Sequence, residues 1–182
     1  MKFSHHKGQS LLEVMIALTM LTTGLLGIAS LLGQSFFLGR VIADEAIATY
    51  LASEGIEIAK NLIDHDVYAH LAVPPAGLGW GSCFGTAAAN TGGNDFQLDY
   101  TTTDCAEIAS YDGTRHLNLD PNTHLYSYQV TAGAVATVFT RDVRVAVPNA
   151  NEIVVNSIVR WSTGPLSSQS INLEDRFYNW HP

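Results

Sequence analysis

Positive charge is scarce in this chain: nine Lys and Arg stand against seventeen Asp and Glu, a formal net charge of −8. Gripping a phosphate backbone needs a basic face, so no nucleic-acid partner is expected. Proline does not occur before Pro74, which removes the strongest helix breaker from the N-terminal part. Cysteine is limited to Cys83 and Cys105, and a zinc site with His116 and His124 would need tighter pairing than this spacing gives. No Gly-x-Ser-x-Gly elbow, phosphate loop, dinucleotide fingerprint or His-Glu-x-x-His pair occurs. Catalysis by this chain is therefore not expected, nor is a cofactor or a metal. With 182 residues there is room for about one ordinary domain.

The most informative scarcity is local. From Val14 to Gly39 there is no Asp, Glu, Lys or Arg. As a helix those residues would extend about 39 Å at 1.5 Å per residue, more than a hydrocarbon core of about 30 Å. A buried helix of a soluble protein seldom stays apolar on every face for so long, so this segment is expected to sit in a bilayer. Lys2 and Lys7 precede it, and the positive-inside rule then keeps the N-terminus cytoplasmic and places the residues beyond Arg40 outside. A secretory signal peptide has a shorter apolar middle, about 7–15 residues, and a small-residue cleavage site close behind it. The one Ala-x-Ala match, Ala46-Ile47-Ala48, lies beyond Arg40, Asp44 and Glu45.

Glu13 stands at the start of this apolar run, where a charge costs roughly 2.5–3.5 kcal/mol at mid-membrane and needs a partner or a shallow position. The residues around it, Lys7-Gly8-Gln9-Ser10-Leu11-Leu12-Glu13 running into Val14-Met15-Ile16-Ala17-Leu18, resemble the processing motif of type IV prepilins and pseudopilins. The resemblance implies that a prepilin peptidase cuts between Gly8 and Gln9 and methylates the new amine of Gln9. It implies too that Glu13, as the fifth mature residue, pairs with the amine of a neighbouring subunit and sets register. The implied partners are that peptidase, other pilin subunits, the inner-membrane assembly platform and the lipid bilayer. Two features depart from the pattern: Gln9 follows the cut where many pilins have Phe, Met or Leu, and no proline kinks the apolar helix.

Beyond Arg40 the apolar residues become one-sided. Ile47, Leu51, Gly55, Ile58 and Leu62 recur at three- or four-residue steps, with Glu54, Glu57, Lys60 and Asp64 off that stripe. This predicts an amphipathic helix continuing the apolar one to about Ala72, with Asp64-His65-Asp66 as a solvated helix end. His65 and His70, five apart, fall on different faces. The stretch from Ala48 to Ile58 also resembles the helix of PilV-type minor pilins.

Pro74-Pro75 and the glycines from Gly77 to Gly93 mark a loop-rich section, in which Asn94-Asp95 reads as a plain turn rather than a calcium loop. Trp80 and Phe84 would offer an exposed surface there. Strand-like runs come next at Phe96 to Thr101, Leu125 to Thr131, Val135 to Val147, Glu152 to Trp161 and Ser170 to Leu173. Phe139, Val143, Val145 and Val147 share one parity, as do Ile153, Val155, Val159 and Trp161, which predicts a hairpin turning at Pro148-Asn149-Ala150-Asn151. An aromatic tail from Glu174 to Trp180 is expected to pack back on this head. Cys83 and Cys105 are expected to bridge, worth roughly 3 kcal/mol in the chain-entropy model, with two independent thiols as the alternative.

The resulting expectation is an α+β chain of type IV pilin fold, with a long N-terminal helix against a C-terminal antiparallel sheet. Its parts are a leader (1–8), a transmembrane and assembly helix (9–40), an amphipathic helix (41–72) and a β-rich head (73–182). The resemblance implies a minor pilin or pseudopilin subunit held in the cytoplasmic membrane and then in a filament. A membrane-anchored binding or adhesion module is the alternative.

Overall fold

A computed structural model describes residues 9–71, 79–85, 87, 89–164 and 168–179, with the side chains of Gln9 and Ser10 left aside. Among the described residues one α-helix, α1, runs from Gln9 to Leu71, and eight strands come after it. These are β1 (Asn94–Gln97), β2 (Ala109–Ser110), β3 (Asn118–Leu119), β4 (Tyr126–Ser127), β5 (Val135–Ala136), β6 (Thr140–Asn149), β7 (Glu152–Trp161) and β8 (Gln169–Tyr178). The chain is α+β, with a five-stranded antiparallel sheet in the order β2-β1-β6-β7-β8 and a three-stranded one in the order β4-β3-β5. It divides into two compact units, Met1–Ala43 and Asp44–Pro182.

In the first unit the described residues are helical, and every side chain from Leu11 to Arg40 is exposed. The helix is long and apolar enough to cross a membrane, with a mean hydropathy of 2.0 over its most apolar window. Nothing within this unit covers it. Thr19, Thr22 and Thr23 turn their hydroxyls back onto carbonyls three or four residues earlier, so these polar groups are satisfied inside the helix.

In the second unit the helical stripe is buried as its spacing predicts: Leu51, Ile58 and Leu62 are nearly inaccessible, and Gly55 is buried too. The core has two parts. Ala48, Leu51 and Ala52 pack with Leu117, Tyr128, Phe139, Val159 and Trp161. Further along α1, Ile58, Ala59, Leu62 and Ile63 pack with Phe84, Leu98, Val143, Val145, Val147, Ile153 and Val155. The parity of β6 and β7 read from the sequence is the one that faces this core. Between the two clusters the helix meets the sheet at Gly55, where an added Cβ would collide with the Ser157 hydroxyl and come within 3.2 Å of Arg141 Cδ. Glycine is required there by closeness of backbone to sheet, since any side chain would push the elements apart.

Several expected strands are corrected. The run from Val135 to Val147 is not one strand: Thr137 donates its N–H and its hydroxyl to the Leu117 carbonyl, which carries the chain from β5 in one sheet to β6 in the other. The strand expected from Phe96 to Thr101 stops at Gln97, because Asp99 accepts the Thr101 N–H and hydroxyl in a local turn. That expected from Leu125 to Thr131 shrinks to Tyr126–Ser127. Glu174 to Tyr178 is no tail but the second half of β8, paired throughout with β7; Trp180 lies outside the described residues. Asp66, expected in solvent, is 1% exposed. Pro74, Pro75 and Gly77 also lie outside the described residues.

Candidate functional site

Two places carry polar chemistry in an apolar setting. The first is Glu13, whose side chain sits on the exposed apolar surface of α1 with Leu12, Ile16, Ala17 and Met20 lining a shallow groove beside it. No Lys or Arg occurs between Gln9 and Gly39, so no residue within reach along this helix can neutralise the carboxylate. Gly8, the residue expected before the cut, lies outside the described residues, and Gln9 opens α1.

The second place is Arg141, fully buried in the middle of the head. It shares the inward parity of Phe139, Val143 and Val145, so its place on the core face was readable from the alternation although its role was not. Its guanidinium donates to the Leu51 carbonyl of α1 at 3.0 Å, to the Leu98 carbonyl at 2.6 Å and to the Glu54 carboxylate at 2.8 Å. Glu54, which lies off the apolar stripe, is thus drawn in as the counter-charge. The Tyr128 hydroxyl donates to the Arg141 carbonyl, and burial pushes that phenol up to about 12. One cation therefore ties α1, β6 and the segments around Leu98 and Tyr128 together, a structural task in which all but one of the contacts are with backbone.

Asp99 is a second buried node. Burial raises its carboxyl, but hydrogen bonds from Thr101, Tyr128 and Ser127 outweigh that and leave it below its ordinary range. On the outer face of the large sheet, Asp95 holds Arg144 through two bonds of 2.6 and 2.8 Å, which lowers the carboxyl and raises the guanidinium. Arg160 lies 3.6 Å from Asp142, and Arg176 spans Glu152 and Glu174. Asp142 is pushed up, by burial first and then by Asp95.

No family model, curated protein or solved structure matches this chain. Its function is therefore read from its own residues.

Cys83 and Cys105 form a disulfide with a Cα–Cα distance of 5.1 Å. Among the described residues they also form, with Asp66, the one cluster of metal-ligand size, yet sulfurs joined to each other offer no thiolate for a metal. His116 and His124 are not part of it. The exposed surface expected at Trp80 and Phe84 is overturned: Phe84 is 2% exposed and stacks edge-on with Phe96 at 5.5 Å, while Trp80 is half-buried against the same core. Cys83 packs against this core as well. Asp95 lies in β1 and is taken up by Arg144.

Among the described residues, a cleft of about 490 Å³ lies beside the outer part of α1 and the 100–103 segment. Glu57, Asn61 and His65 line it from the helix and Tyr100 from the loop. It is open to solvent, and Glu54, one of its two acids, is already bound to Arg141.

Proposed function

We propose that this chain is a structural subunit of a type IV pilus-like filament, a minor pilin or pseudopilin of PilV-like type with a type IV pilin fold. The observation that carries the reading is the Lys7-Gly8-Gln9 step set four residues before one acid, Glu13, at the head of an apolar helix with no neutralising group of its own. A peptidase at the cytoplasmic face would cut after Gly8, freeing the amine of Gln9. The helix then packs laterally against those of other subunits, and the Glu13 carboxylate of one finds the amine of another in a low-dielectric setting.

The fold is consistent with such a part. The first unit offers an uncovered apolar helix for lateral packing, and the second is a head braced by Arg141 and a disulfide. In this reading the subunit begins in the cytoplasmic membrane, N-terminus inside, and ends in a filament outside it, with no catalytic task. The alternative of an adhesive module loses its expected surface, because Phe84 is in the core.

The deciding experiment is intact-mass analysis of the chain purified from cells that hold an active prepilin peptidase. The expected species begins at Gln9 and carries an added methyl group. A chain still beginning at Met1 overturns the proposal. Loss of ammonia from Gln9 in place of methylation would remove the positive partner and refute the Glu13 pairing.

A further inference from the structure

The cleft between α1 and the 100–103 segment has no part in the filament reading, yet it brings together groups of complementary use. Glu54, Glu57, Ile58, Asn61, Leu62 and His65 line it from one side of the helix, and Tyr100, Thr102 and Thr103 line it from the loop. Ile58 and Leu62 are buried and give it an apolar floor, while Glu57, Asn61 and His65 are exposed. All of these residues belong to the second unit.

Both walls are held in place from behind. Arg141 donates to the Leu51 carbonyl and to Glu54 on the helix, and to the Leu98 carbonyl on the other side, so one buried cation sets the gap. Next to Leu98, the Asp99 carboxylate accepts the Ser127 hydroxyl and the Tyr128 N–H, and the Asp99 carbonyl accepts the Thr102 N–H at 2.9 Å. That fixed turn leaves Tyr100 40% exposed at the cleft. Walls tied down in this way lose little freedom when something binds between them.

Charge around the cleft is one-sided. Its lining carries two carboxylates and neither Lys nor Arg. Glu107 adds a third acid beside it by accepting the Thr103 N–H and hydroxyl. The cations on neighbouring elements are engaged: Arg141 with Glu54, Lys60 with Asp64, and Arg115 with the Gln97 side chain and the Tyr128 carbonyl. Glu57 belongs to none of the ion pairs among the described residues.

We propose that this cleft docks an arginine side chain carried on an exposed segment of a partner protein. The guanidinium lies against the Tyr100 ring and forks onto the Glu57 carboxylate, with the Asn61 amide oxygen as a further acceptor, while the methylene stem rests on Ile58 and Leu62. Lysine suits the site less, because an ammonium is a strongly hydrated point charge that neither stacks on a ring nor pairs with both carboxylate oxygens. A cleft of about 490 Å³ falls within the ordinary range for binding pockets, about 300–1,000 Å³, and has room for the backbone that bears the arginine as well. The net charge of −8 draws a basic partner from a distance. This docking uses no residue of the apolar half of α1, so it stands or falls apart from the role of Glu13.

The test uses the isotope-labelled full-length chain in detergent micelles, its disulfide intact. It is titrated with the blocked tripeptide acetyl-Gly-Arg-Gly-amide, with the lysine and citrulline counterparts, and with spermidine, while the backbone amide signals of Asn61 and Thr103 are followed by NMR. The expected result is saturable movement of both signals by the arginine peptide, with the uncharged citrulline peptide binding at least about fivefold more weakly. Glu57→Gln should weaken the arginine peptide by at least about fivefold and leave the signals of the β-sheet where they are, whereas Asp64→Asn, off the cleft, should not weaken it. No movement with the arginine peptide, or equal binding of the arginine and citrulline peptides, overturns the proposal, as does unchanged binding by Glu57→Gln. Equal binding of the lysine peptide overturns the assignment to arginine. Tighter binding of spermidine assigns the cleft to a free polyamine and overturns docking of a protein.

Discussion

The two halves of α1 are built to opposite rules. From Leu11 to Arg40 every side chain is exposed and apolar residues stand on all faces. From Asp44 to Leu71 the same helix buries one stripe and leaves Glu57, Lys60 and Asp64 in solvent. The outer half is held by its own chain, whereas nothing among the described residues of the first unit covers the inner half, which is long and apolar enough to cross a membrane. A single polar group therefore means different things in each: Glu54 is met by Arg141, and Glu13 by no cation along its helix.

The largest effect should come from removing the acid of the inner half. Glu13→Gln is expected to leave leader removal intact but to abolish recovery of the chain in sheared filaments, while Glu57→Gln in the outer half changes neither; both are read by immunoblot. Normal assembly of the Glu13 variant would erase the distinction. Next comes the brace of the outer half. Arg141→Ala should cost about 3–5 kcal/mol in chemical denaturation, because Glu54 and two carbonyls lose a buried partner. Arg141→Met, which fills the space with an apolar chain, should cost less, and an equal loss would show that charge rather than volume is what the site needs.

Glycines sharpen the contrast further. Gly55→Ala must push against Ser157 and Arg141 and should destabilise by about 1–3 kcal/mol. Gly24→Ala and Gly27→Ala meet nothing within 4 Å and should add helix preference, up to about 1 kcal/mol each, without moving the unfolding of the head.

The smallest effect is a pair of opposed pH slopes within the outer unit. The Asp99 carboxyl is held below its usual 3.8, so its contribution is fully present above that value and is lost as pH falls through the folded one. Asp142 is raised, so it disfavours the fold once ionised, and acidification through its raised range adds stability. Asp142→Asn should remove that gain and Asp99→Asn should remove the acid loss, as followed by denaturation at a series of pH values.

Much of this was legible in the linear order of residues. Charge vacancy between Val14 and Gly39 is a property of composition, and no folding step can supply a charge that is not there. The stripe from Ile47 to Leu62 and the alternation in β6 and β7 were likewise visible, because side-chain direction follows the period of the element. Other features came from contacts between residues distant along the chain. Pattern alone could not show that Phe84 is drawn into the core by Phe96, that Asp66 is buried, or that Thr137 turns the chain between sheets by reaching Leu117. Nor could it name Glu54 as the counter-charge of Arg141, eighty-seven positions away. Sequence by itself determined which stretches have an apolar side and where charge is missing, since those follow from residue type and local period. Tertiary structure alone decided which polar groups meet, because burying a charge is tolerable only where the fold brings its partner to the same place.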